Sequence, residues 1–188
     1  MKELKDKMLV FMIEMNSLGA DYSTVMNHIE ESVLEALEEY AEETGEFSLD
    51  SNRIRVQELS SSLGKSLGRY NKMNDIMYLS PYVTNFYKII SSTNRVVFET
   101  CIEVVLHEAR HRWQYLCDNV IIAESIEHYL NNTHLDKYEL YHNDPAEIDA
   151  VEVSRAHVKA AYEYIMNNLG EILEERLDNR KRLMAAFE

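Results

Sequence analysis

Apolar residues recur at helical spacing over residues 2–17, where Leu4, Met8, Phe11, Met12 and Met15 form one stripe and Gly19 follows as a terminator. A second helical pattern runs from about Ser23, read as its N-cap, to about Glu43, with Gly45 as its end. Its outer face carries Glu30, Glu31, Glu35, Glu38, Glu39, Glu42 and Glu43, the pattern of a solvated surface. The period then shortens to two. Arg53-Ile54-Arg55-Val56-Gln57 alternates as a half-buried strand does, and Leu67-Gly68-Arg69-Tyr70 and Ile76-Met77-Tyr78-Leu79 read as two more strands. Asn71 to Asp75 is turn material between them, and Pro81 closes the last strand.

Helical spacing returns from about Asn94 to Cys117, then over about 119–131, where Asn131-Asn132-Thr133 breaks it. Tyr138 to Asn143 reads as loop. Asp144-Pro145-Ala146-Glu147 opens a long helix expected to end near Gly170, and a last helix spans about 171–187. These elements predict one α+β domain over residues 1–188, mainly helical, with a small antiparallel sheet ahead of the long helix at 94–117. It divides into an N-terminal helical segment (1–45), a core (52–160) and C-terminal helices (161–188).

The formal net charge of -14 argues against nucleic acid and anionic membrane as partners, since both call for a basic face. Cys101 and Cys117 fall on one predicted helix, roughly 24 Å apart, too far to pair with each other, as in a reducing compartment. Met8 to Ile13 follows Lys2, Lys5 and Lys7 but is too short for a signal peptide and is interrupted by Glu14. A cytoplasmic location is the expectation.

The chemistry lies in His107-Glu108-Ala109-Arg110-His111, which reads HExxH. Four-residue spacing puts both imidazoles on one helix face, where they can share a metal ion, with Glu108 beside them as general base. Val104, Val105 and Leu106 precede the motif, as on a buried helix, and two histidines with a carboxylate crowded there are costly without a partner. A third ligand must come from His128, His134, His142, Glu147, Asp149, Glu152 or His157. Glu147 is favoured, near the start of a helix that could pack on the first. One rival reading makes Glu147 only the N3 residue of a capping box on Asp144; another gives the third ligand to a histidine, His142 or His134. Arg110 could hold Asp149 or make a plain surface pair. Trp113 reads as core, and Tyr138, Tyr141, His142 and His157 stay open as donors to a reaction intermediate.

The ordered set of Leu-Gly-Arg-Tyr, Ile-Met-Tyr-Leu-Ser, His-Glu-Ala-Arg-His and Pro-Ala-Glu-Ile-Asp-Ala, over residues 52–160, resembles the small zincin metallopeptidases. It is most similar to the gluzincin branch, as found among short phage and bacterial peptidases. The SprT-like zincins, with a histidine as third ligand, are the next resemblance. The likeness implies zinc (Zn2+) held by His107, His111 and Glu147. It implies hydrolysis of a peptide or protein substrate by a metal-activated water, with Glu108 taking the proton. It also implies that Ile76 to Ser80 is an edge strand pairing with extended substrate. Two other outcomes are a zincin-like zinc protein without activity and an acidic helical interaction protein without metal. The helices of residues 1–45 could cover the cleft, in which case their removal raises activity.

Overall fold

In the computed structural model, which describes residues 2–61 and 64–186, helix α1 (Lys2–Ser17) turns its predicted stripe inward. Leu4, Met8, Phe11 and Met15 are buried there. Helix α2 (Tyr22–Thr44) is capped by Asp21, two residues ahead of the expected Ser23, because the Asp21 carboxylate accepts from the Thr24 amide at 2.8 Å. Gly45, at φ 68°, ends it in the left-handed conformation that glycine adopts without strain. Its inner face buries Val25, Ile29, Val33 and Leu37, and its glutamates lie exposed or half-buried on the other side.

A single 3-10 turn at Ser51–Arg53 leads into β1 (Ile54–Val56). The short pair β2 (Ser60–Ser61) and β3 (Gly64–Lys65) follows, then β4 (Gly68–Asn71) and β5 (Ile76–Leu79). The main sheet has three strands in the order β1-β5-β4. It is mixed rather than antiparallel: β4 runs antiparallel to β5, but β1 runs parallel to it. Alternation along a chain marks strands without naming their partners. The β4–β5 hairpin lies with β5 beside β1 and running in the same direction. This makes β5 the central strand, with Met77 and Leu79 buried, and leaves β4 as an edge. Ile76 to Ser80 is therefore not an edge strand; the edges are β1 and, on the side of the long helix, β4.

Ser80 caps the short α3 (Pro81–Thr84), where Pro81 takes the first turn, and α4 (Phe86–Ser91) follows. Asn94 caps α5 (Arg95–Cys117), which carries the HExxH motif; Asp118 then ends α5 and caps α6 (Asn119–Asn131). Residues 137–142, expected as loop, form α7 (Lys137–His142), closed by a capping box between Asp136 and Glu139. The last two predicted helices are one, α8 (Pro145–Ala185), running through Gly170. Gly170 does not terminate a helix. A Cβ there would sit 2.5 Å from Lys7 Cδ, on the flexible side chain of Lys7 that lies over the glycine, and surrounding contacts offset its helix penalty of about 1 kcal/mol.

One apolar cluster joins α1, α2, α5 and α8 beneath the sheet, with Ile29, Leu37, Ile102, Leu106, Ile165 and Leu169 fully buried. The N-terminal helices thus belong to the core. Both cysteines are free. Among the described residues, no helix is long and apolar enough to cross a membrane.

Candidate metal centre

Val105, Leu106 and Ala109, none with any exposed surface, fix the inner face of α5 in the core. That anchoring sets the rotation of the helix, and His107 and His111 emerge together on the face turned toward α8. Their Nε2 atoms lie 3.1 Å apart, with the rings edge to face at 4.6 Å. The first turn of α8 meets them. Asp144 caps it by accepting from the Ala146 amide at 3.0 Å, Pro145 fills the position that needs no donor, and Glu147 projects between the imidazoles.

Glu147 places one carboxylate oxygen 3.4 Å from His107 Nε2 and the other 3.3 Å from His111 Nε2. It is not a reciprocal cap: the Asp144 amide donates to the Tyr141 carbonyl instead, at 3.3 Å. His107, His111 and Glu147 offer three ligand atoms within 4.8 Å of one another. The rival histidines lie elsewhere. His134 and His142 are exposed, with His142 packed on the Tyr138 ring at 4.0 Å. His128 faces the Leu140 carbonyl, and His157 sits between Tyr40 and Glu46. Asp149 is held by Arg110 and Gln114, and Glu152 is exposed.

The donor set fits a metal ion. Zinc bonds of about 2.0–2.1 Å at tetrahedral angles separate neighbouring ligand atoms by about 3.3 Å. Here the two Nε2 atoms are 3.1 Å apart, and each faces a different oxygen of Glu147, at 3.4 Å from His107 and 3.3 Å from His111. Glu147 Oε2 is buried without a hydrogen-bond partner, an arrangement that calls for a cation. Burial alone would push the His111 pKa down, but the facing Glu147 carboxylate outweighs it and raises the value to about 9. Burial likewise pushes Glu147 up, and the two imidazoles and the nearby Tyr141 hydroxyl hold it well below the usual carboxylate range.

A second layer fixes the ligands. His111 Nδ1 donates to Gln114 Oε1 at 2.9 Å, which leaves Nε2 as the ligand atom. Gln114, fully buried, donates through Nε2 to the Ala146 carbonyl at 2.9 Å and to Asp149 Oδ2 at 2.7 Å. Arg110 completes the link between the helices, donating to both Asp149 oxygens at 2.7 and 3.2 Å and to the Glu46 carbonyl at 2.8 Å. The Trp113 ring lies against this guanidinium at 3.9 Å, half-buried rather than in the core where it was expected.

Glu108, 6% exposed, turns to the sheet, where the Tyr70 amide of β4 donates to Oε2 at 2.6 Å. Burial pushes its carboxyl up. Gly68 permits this approach, since a Cβ there would lie 2.7 Å from Glu108 Cγ. The hairpin is tied to α5 one residue beyond the motif. Arg112 forks onto Asp75 at 2.7 and 3.0 Å, and the Tyr70 hydroxyl donates to the same carboxylate at 3.1 Å. Asp75 holds φ at 51°, a conformation that Asp and Asn tolerate. Sequence reasoning gave no role to Gly68, Asp75, Arg112 or Gln114. Only Gln114 left a signal, its three-residue spacing from His111 on the same helix face.

A cleft of about 440 Å³ opens beside His111 and Glu147, walled by β4 on one side and by Tyr115 and Ile122 on the other. No residue of α1 or α2 lines it. Tyr141, of the donors left open by the sequence, is the one beside Glu147. No protein-family model, no curated protein and no solved structure matches this chain.

Proposed function

We propose that this protein is a zinc-dependent metallopeptidase of the HExxH type, acting on peptide or protein substrates. The observation that carries the reading is the convergence of His107, His111 and Glu147, whose ligand atoms lie within 4.8 Å of one another, with one Glu147 oxygen buried and without a hydrogen-bond partner. A carboxylate stands beside them on the sheet side.

When bound, zinc supplies Lewis-acid polarisation of a carbonyl and acidification of water. The residues do the rest. Glu108 receives the proton of the attacking water and hands it to the leaving amine. Its burial, which raises its proton affinity, suits that shuttle. The Tyr70 amide keeps Glu108 aimed during the transfer. Tyr141, the phenol nearest the ligand carboxylate, is the donor placed to steady charge on the substrate oxygen. Extended substrate would lie along β4, an edge strand whose Tyr70 amide is already taken by Glu108, rather than along β5 as the sequence suggests.

Metal analysis of purified protein is expected to give about one zinc equivalent, lost in His107→Ala and Glu147→Ala. Glu108→Gln keeps the metal and loses cleavage of an unstructured polypeptide. Well-folded wild type that takes up no zinc overturns the reading. Zinc uptake without hydrolysis leaves a binding protein of zincin type.

A further inference from the structure

The charged side chains around the cleft run against the charge of the whole chain. Residues 59–74 contain Lys65, Arg69 and Lys72 and no Asp or Glu, in a protein of net charge -14. Arg69 and Lys72 line the cleft on its strand side, and both are exposed. Among the described residues, neither has a carboxylate within salt-bridge distance. Arg69 rests on the Tyr78 ring at 5.4 Å, which leaves its guanidinium edge open to solvent.

The carboxylates that line the same cleft are already committed. Asp144 is buried in its cap, and Glu147 faces the histidines. Asp75, nearby on the turn, is forked by Arg112. The uncommitted charge at the cleft is therefore positive. The opposite wall, Tyr115 and Ile122, is apolar or aromatic, and Met73 at the mouth is 88% exposed.

We infer that the cleft takes acidic, extended polypeptide: segments with Asp or Glu side chains beside large apolar ones. This rests on the peptidase reading and adds its substrate class. Extended chain along β4 puts alternate side chains against Arg69 and Lys72, while those between meet Tyr115 and Ile122. Two cations are too few to hold a nucleic-acid backbone on a molecule of this charge, which favours polypeptide over oligonucleotide. The remaining acidic surface repels such a substrate at long range, but at 0.1 M salt that repulsion is screened beyond about 10 Å. The local pair then governs.

The test uses zinc-loaded full-length protein and two fluorescent peptides of one apolar framework, flanked by Glu or by Lys, at 0.1 M salt. Binding is read by anisotropy and cleavage by mass spectrometry. The Glu peptide is expected to bind about tenfold more tightly, since two exposed cations attract its carboxylates and repel the ammonium groups of the Lys peptide. Arg69→Ala/Lys72→Ala removes that preference, and Arg69→Glu/Lys72→Glu reverses it. Both positions are exposed, and circular dichroism verifies that the variants fold. Preferential binding without cleavage upholds the acidic-polypeptide site while refuting the peptidase. Cleavage with equal binding, preference for the Lys peptide, no binding of either, or tighter binding of a single-stranded oligonucleotide each overturns the inference.

Discussion

Every polar atom of the Gln114 side chain is engaged, and its position links two of the proposed ligands. Its Oε1 accepts a hydrogen bond from His111 Nδ1, and its Nε2 fastens the first turn of α8 by donating to the Ala146 carbonyl. Gln114→Ala is expected to lower zinc affinity by about 10- to 100-fold, measured by chelator competition, because the imidazole loses its orienting partner. Gly68→Ala should separate the two halves of the site differently. The added methyl group presses on Glu108, so hydrolysis falls while zinc content stays, with a stability loss of about 1–3 kcal/mol. Protonation gives a further check. In metal-free protein the pKa of His111 is raised to about 9, so its pairing with Glu147 contributes fully below the ordinary imidazole value near 6.5. That contribution disappears as pH rises through about 9. Thermal melts of metal-free protein should show this decline, and saturating zinc should abolish it, since the ligands then carry no proton. At this scale the sequence showed the motif because its spacing is local. Gly68 and Asp75 were not visible because each acts on a residue of a different element.

Among the elements, the β4–β5 hairpin and the first turn of α8 bring the chemistry together, and the sequence revealed them unequally. The strands were marked by alternation, yet their order and direction depend on which strands pair, which no local pattern encodes. Helix α7 was missed although Asp136 and Glu139 hold the spacing of a capping box; the run is too short for periodicity to register. The Arg112–Asp75 fork is what keeps the hairpin over Glu108. Asp75→Asn keeps the turn conformation, which Asn tolerates, but discards the charge. The expected outcome is a loss on the order of 1 kcal/mol in urea unfolding and a drop in kcat larger than any change in zinc content. Equal activity in this variant would show that the hairpin needs no such anchor.

For the molecule as a whole, the N-terminal helices are the clearest revision. Ile29, Val33, Ala36 and Leu37 of α2 have no exposed surface, and α1 and α2 both pack on α8. Removing residues 1–45 is therefore expected to unfold the protein, not to raise its activity. Circular dichroism of the truncated chain checks this, and a folded, more active fragment would contradict the packing. Leu37→Ala alone should cost about 2–5 kcal/mol.

The unbroken course of α8 has a consequence at a distance. The helix spans about 45 Å from Glu147 to the turns that grip α1 near Leu177. Its middle, at Ile165 and Leu169, is locked in the core, so it can loosen only when the whole molecule opens. An ion that binds the folded state alone then protects every amide whose exchange requires that opening. Addition of zinc should slow hydrogen exchange at residues 161–173, remote from the cleft, by the same factor as it stabilises the fold. The metal content of one end of the rod would be legible at its core.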